Sequence, residues 1–413
     1  MVPQKQSQDL NLIQARAVRV LALGQALGGF GFGATLSVGA IMATELSGTA
    51  AWSGAAATLS TLGAAFLSIP LARLASRRGR RPALALGAFL AILGAAGMML
   101  AAALRSFPVE LVALFLLGSA TAVGLQARFA AADIPTSRPK GKDLSIVVWA
   151  TTLGAVVGPN LIAPGEAMGL AIGLPHLAGP FLLTIFAQTT STLVFWFGLR
   201  PDPLLLAQEV AGVEPGLPQR KSSEAIGIIR RNPLAAFTVL TIALSHMVMV
   251  SVMSMTPAHL SQEGHSLAEV GFTISLHVAG MYAFAPVFGV LSDRIGAKPT
   301  ILLGQVVLLF SLAISGFGQS NFTLVVIGLF LLGLGWSAAT VAASAMLSEV
   351  LEVDQKPVVQ GFSDSLMSLS GAFGGAVSGT ILTLYSFGGL NAAALLPVIL
   401  IVLATAHSRR WRA

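Results

Sequence analysis

This sequence predicts an all-α membrane protein, with twelve transmembrane helices in two pseudo-symmetric six-helix bundles. Three observations predict it. Apolar runs of spanning length recur along the whole chain, the cationic residues fall in alternate loops, and one basic motif appears twice.

The 413 residues are 55% hydrophobic and 10% charged, with 44 Gly. A helix crossing the hydrocarbon core takes about 20 apolar residues. Twelve runs meet that need: 17–43, 50–72, 83–104, 109–132, 144–164, 177–198, 232–256, 267–290, 299–317, 322–347, 364–386 and 389–407. None alternates like a strand, and an open sheet would leave backbone groups unpaired in lipid, so a helical bundle remains. Cationic loops stay cytoplasmic, and placing both termini inside puts 22 of the 24 Lys and Arg on that side. They are Lys5, Arg16, Arg19, Arg73, Arg77, Arg78, Arg80, Arg81, Arg138, Lys140, Lys142, Arg200, Arg220, Lys221, Arg230, Arg231, Arg294, Lys298, Lys356, Arg409, Arg410 and Arg412. Arg105 falls outside, and Arg128 lies within the fourth run near its inner end. Topology thus accounts for the net charge of +7, and no nucleic-acid partner is expected. With no Cys, disulfides and thiolate metal sites are excluded, so any metal must use Met, His or oxygen. The polar start MVPQKQSQDLNLIQ does not read as a signal peptide, because the first apolar run is too long and too far in.

The longest polar stretch, 201–231, holds four prolines and mixed charge and reads as a cytoplasmic linker. It divides an N-terminal bundle, 1–200, from a C-terminal one, 232–413. Across it the chain repeats: RLASRRGRRPALALG at 73–87 parallels VLSDRIGAKPTILLG at 290–304, with Gly79 and Gly296, Pro82 and Pro299, and Gly87 and Gly304 each 217 apart.

At these residues the chain resembles the major facilitator superfamily. Its signature between helices two and three reads G-x-x-x-D-R-x-G-R-R, with a second copy between helices eight and nine. Gly289, Asp293, Arg294, Gly296 and Lys298 fit the second copy, whereas the first keeps Arg77, Gly79, Arg80 and Arg81 but has Ala72 for Gly and Ser76 for Asp. The resemblance implies a gating role for Asp293, Arg294, Gly289, Arg77 and Arg81, the Asp helping to latch the halves on the cytoplasmic side. Gly154-x-x-x-Gly158-Pro159 partly resembles the helix-five motif of drug antiporters. Close helix contact through small residues and a proline kink is the preferred reading, as it is for Gly24 with Gly28 and for Gly371, Gly375 and Gly379.

Met249 with Met253 and His277 with Met281 put soft ligands one turn apart in adjacent runs. Thioether and imidazole favour Cu(I). An ionisable His within a membrane segment usually lines a cavity or pathway, whereas Met is ordinary packing material. At 1.5 Å per residue Met249 lies ~10 Å below the outer end of its helix and His277 ~15 Å below its own, so the pairs can meet in depth. This M-x-x-x-M and H-x-x-x-M arrangement resembles the motif pair of CcoA-like copper importers, on Met249, Met253, His277 and Met281. The resemblance implies copper import across the bacterial inner membrane by alternating access, supplying cytochrome oxidase assembly. Copper would be substrate rather than cofactor, the other partners being the lipid bilayer and an intracellular copper acceptor, and the chain a monomer. Members of that branch have also been labelled riboflavin transporters, so an organic-solute carrier, for riboflavin uptake or drug efflux, stands as the alternative.

Among the remaining polar residues, His246 reads as a bundle contact, and Met247 and Met255 as packing ahead of an outer relay. His259, Glu263 and His265 read as a solvated outer loop ahead of a cation-collecting one. Gln126, Arg128 and Asp133 with Gln360 and Asp364 read as an inner gate or charge network, while Trp149 and Trp336 suit either cavity or core. The runs show no Asp or Glu away from their ends, so proton coupling is not visible. No nucleophile, base and orienting group converge as an enzyme would need.

Overall fold

The computed structural model describes residues 4–48, 52, 55–136, 139–212 and 224–408. Arg138, Arg220, Lys221, Arg409, Arg410 and Arg412, assigned above to cytoplasmic loops, lie outside these. All regular structure among the described residues is helical. Among the described residues nine helices are long and apolar enough to cross a membrane.

The chain forms two compact units, neither a single stretch of sequence. The first comprises 1–138, 150–224 and 353–365, the second 139–149, 225–352 and 366–413.

In the first unit, α1 (Gln4–Ser47), α2 (Ala55–Arg78), α3 (Arg80–Leu104), α4 (Phe107–Ala130) and α7 (Gly179–Gly198) are full-length helices. The end of α5 (Lys140–Asn160), the short α6 (Ile162–Ala171) and α8 (Pro203–Val210) complete it. The expected fifth run, 144–164, is thus two helices. Pro159 and Pro164 flank the break and cannot donate to it. Helices in lipid gain no hydrophobic drive from meeting, so they associate where small residues let backbones approach. A Cβ at Gly118 of α4 would strike the Ser60 carbonyl and Ala64 amide of α2, and one at Gly63 would strike the Phe115 carbonyl. Gly29 and Gly154 meet likewise between α1 and α5, which gives the helix-five motif its packing reading. Val38, Met42, Met98, Leu114 and Phe181 fill the core beside these contacts.

In the second unit α14 (Phe322–Val350) is the axis. In its most apolar window 72% is buried, against 28–56% in the other spans. Around it pack α10 (Pro233–Gln262), α11 (Leu267–Tyr282), α12 (Ala285–Ile295) and α13 (Ala297–Phe317). The short α9 (Glu224–Arg231) precedes them, and most of α15 (Lys356–Ser408) belongs here too. The eighth run is broken before Pro286 into α11 and α12. The eleventh and twelfth runs form one continuous element, turned by Ser386 at φ 64°. Pairing α5 with α6 and α11 with α12, and counting α15 as two, gives the twelve spans of the sequence.

The repeated motif has a structural counterpart. Gly79 (φ 89°) separates α2 from α3 and Gly296 (φ 96°) separates α12 from α13, both in a backbone region that side chains disfavour.

Gly118→Leu is expected to lower the thermal unfolding temperature of the purified protein, by about 1–3 kcal/mol of overpacking or more. Gly271→Ala, where a Cβ meets open space, should leave it unchanged or slightly raised; equal effects in both would dissociate stability from backbone approach.

Candidate functional site

Three groups of residues have geometry suggesting function. The first is a buried polar network in the first unit. Arg80 opens α3 with its side chain fully enclosed and donates to both carboxylate oxygens of Asp133, at 2.8 and 3.3 Å, and to the Gln360 side chain. Arg128, near the end of α4, donates to Asp364 at 2.7 Å. Gln126 donates instead to the Ser68 carbonyl of α2. Residues 353–365 are thereby fastened to α3 and α4, and Gly361 lies against Ala72 where a Cβ would clash. Four of the five expected residues are thus engaged, Asp133 and Gln360 through Arg80 and Asp364 through Arg128, while Gln126 turns to α2. In the sequence Arg80 is only a motif letter, because nothing local separates it from the four other arginines around it.

The motif copies act differently. Asp293 accepts from the amides of Gly141 and Lys142, at 2.9 and 2.8 Å, so a carboxylate caps the start of α5. Gly289 faces Gly141 and Ser145 where no Cβ would fit. Arg294 and Arg77 are exposed. Arg81 turns elsewhere: its amide donates to Asp202 at 2.7 Å and its guanidinium lies 5.1 Å from the Trp196 ring. Asp202 also accepts from Leu204 and Leu205, capping α8. Of the five residues assigned to gating, the structure brings Asp293 and Gly289 together at α5, places Arg81 beside Asp202, and leaves Arg77 and Arg294 outside both groups.

The second group is the proposed metal set. His277 is fully buried on α11 with Met281 buried one turn on, while Met249 is buried and Met253 half-buried on α10. Both helices pack on α14, more than on each other. His277 Nδ1 lies 2.8 Å from the Leu329 carbonyl, and because a carbonyl only accepts, Nδ1 carries the proton. Nε2 then has a lone pair, buried and unpartnered among the described residues. No three of His, Asp or Glu converge there as a metal site. Met247 and Met255 instead lie against Gly374 and Gly379 of α15.

The third group surrounds Trp336 on α14. Its indole lies 6.0 Å from the His246 ring and 5.8 Å, nearly perpendicular, from the Tyr282 ring. Trp336 is almost wholly buried while its two flanking rings are half-buried. A Cβ at Gly371 would collide with His246, so a side-chain-free position admits that ring. Trp336 Nε1 and the hydroxyls of Ser337, Thr340 and Ser344 are buried without hydrogen-bond partners among the described residues. Buried polar atoms are normally paired, and Trp336, Thr340 and Ser344 at i, i+4 and i+8 share one face of α14. Trp149, by contrast, is exposed.

One expectation needs correction. His259 belongs to no solvated loop: in the last turn of α10 it is buried, bonded to the Gln319 carbonyl at 2.7 Å and stacked at 4.2 Å on Phe387. Only Glu263 and His265 follow the helix. Asp364 and Glu110, at the ends of their apolar runs, have no exposure, because neighbouring segments cover those ends.

The sequence model of the Major Facilitator Superfamily matches residues 21–267 and 238–410. The chain belongs to this superfamily. Among its relatives is the uncharacterized MFS-type transporter YdeG of Bacillus subtilis, 36% identical, with 96% of this chain and 93% of that protein covered. Another is the riboflavin transporter RfnT of Brucella anthropi, 29% identical over 85% of each. Among solved structures, the human organic anion transporter MFSD10 (TETRAN) matches with a TM-score of 0.74 at 17% identity, covering 95% of this chain and 99% of that one, which shows the shared fold. The protein is therefore a multi-pass transporter of the major facilitator fold.

Asp364→Ala removes the acidic partner of the enclosed Arg128 charge and is expected to destabilise by up to about 3–5 kcal/mol. Replacing both, Arg128→Met with Asp364→Leu, should cost less than the single change; a double-mutant cycle on thermal unfolding reads the difference.

Proposed function

We propose that this transporter carries a flat, polar heteroaromatic solute across the bacterial inner membrane, with both termini in the cytoplasm, and that riboflavin is the first solute to assay. The observation that carries this reading is the Trp336 group: one indole between two half-buried rings, beside a file of hydroxyls with no hydrogen-bond partner among the described residues. Aromatic faces receive a planar ring system by stacking, and the free hydroxyls suit a polyol or carbonyl edge. A relative described as a riboflavin transporter supports the solute class. The distribution of Lys and Arg supports the orientation. Movement would follow the alternating access of the superfamily, with the capped start of α5 and the arginine-bound start of α15 as gating contacts.

One observation favours a second reading, copper import by a CcoA-like transporter. Ligating histidines typically donate their other ring N–H to a carbonyl or carboxylate, and His277 does so toward Leu329 while its Nε2 stays open. Met249, Met253 and Met281 would complete a soft site that takes Cu(I) as substrate and passes it to an intracellular acceptor.

Cells lacking their own riboflavin and copper importers, expressing this chain, are expected to accumulate labelled riboflavin above an empty-vector control. Trp336→Leu should raise KM about 2- to 12-fold, the equivalent of the ~0.5–1.5 kcal/mol of an aromatic contact. Copper uptake without riboflavin uptake, lost in His277→Ala and retained in Trp336→Leu, would replace the first reading by the second.

A further inference from the structure

Glu110, in the first turn of α4, is fully buried, and neither carboxylate oxygen has a hydrogen-bond partner among the described residues. The other enclosed carboxylates are treated differently, with Asp133 facing Arg80 and Asp364 facing Arg128. One turn further along α4, Ala113 and Leu114 enter the apolar core with Met42, Met98 and Phe181. The charged groups at this end of the elements packed on α4 are few. Glu45 of α1 and Arg105 after α3 are exposed, and the described part of α2 brings none before Arg73. On α6, Glu166 is bonded to His176, which follows that helix, at 2.8 Å. None of these reaches Glu110 by a hydrogen bond. The start of α4 favours an anion weakly, whereas enclosure without a partner opposes one strongly. Ionisable groups held within a membrane bundle mark proton and substrate paths.

We propose that Glu110 is a proton-binding site of the transport cycle. While enclosed, as here, it is a neutral carboxylic acid. When that end of the bundle admits water, the carboxyl O–H bond breaks, the proton passes to water and the carboxylate is hydrated; reclosure requires a proton back on the oxygen. No electrons move. Solute movement is thereby tied to proton movement, whatever the solute, so the assignment stands apart from the riboflavin and copper readings.

The test uses the full chain in lipid vesicles without solute. Its infrared spectrum at neutral pH is expected to contain a protonated-carboxyl carbonyl band that disappears in Glu110→Gln and survives in Glu45→Gln and Glu166→Gln. Because the chain has no Cys, Ser106→Cys, at the N-cap of α4, is a single reporter. Its maleimide labelling rate, divided by that of the same cysteine in denatured chain, should rise severalfold with pH. In the background of Glu110→Gln it should stay at the low-pH value. Glu110→Asp should retain a carboxyl band at a displaced frequency, and it decides the matter should the Gln variant not fold. A band unmoved by either substitution, or the same pH profile with Gln at 110, would overturn the proposal.

Discussion

Backbone contact at glycine is the constraint on which the rest of this structure depends. In lipid, water does not drive helices together, so affinity must come from dispersion over closely fitted surfaces. Gly63 with Gly118, Gly29 with Gly154 and Gly304 with Gly335 bring main chains together where one methyl group would intrude. The functional groups inherit their positions from these approaches. His277 and Met281 sit where Gly333 presses α14 onto the backbone of α11, and the His246 ring sits where Gly371 leaves room. Aromatic residues and hydroxyls can therefore lie inside a bundle whose stability is supplied elsewhere.

Chemistry in this interior divides by how each polar group is treated. Arg80 and Arg128 have acidic partners and tie covering segments in place. His277 has one nitrogen engaged and one open. The Trp336 face leaves several donors and acceptors open together, which is expensive unless a guest or water meets them. A structural role closes hydrogen-bonding capacity, whereas a binding role leaves it available.

The spans were legible in the sequence because lipid imposes length and hydropathy so strictly, and the motif repeat marked the breaks at Gly79 and Gly296. The divisions at Leu161, Ala283 and Ser386 were less visible: proline and a single left-handed residue alter direction without interrupting an apolar run. His277 and the acids of the charge network stand out as polar letters in apolar text. Arg80 and Glu110 do not, since each sits near a helix end that reads as wet, and only the packing of distant segments encloses it. The Trp336 face was half visible. Its i, i+4, i+8 spacing is in the sequence, but its flanking rings come from residues 90 and 54 positions upstream.

The two motif copies also carry a consequence for the history of the chain. In the second copy an acid at 293 holds the start of α5 through backbone amides, while Ser76 in the first copy donates to the Arg73 carbonyl of its own helix. The start of α15 is held by arginine side chains reaching Gln360 and Asp364. The same docking is thus solved once by a carboxylate seeking amides and once by guanidinium groups seeking acceptors. Among descendants of one duplicated ancestor, positions 76 and 364 should therefore drift together.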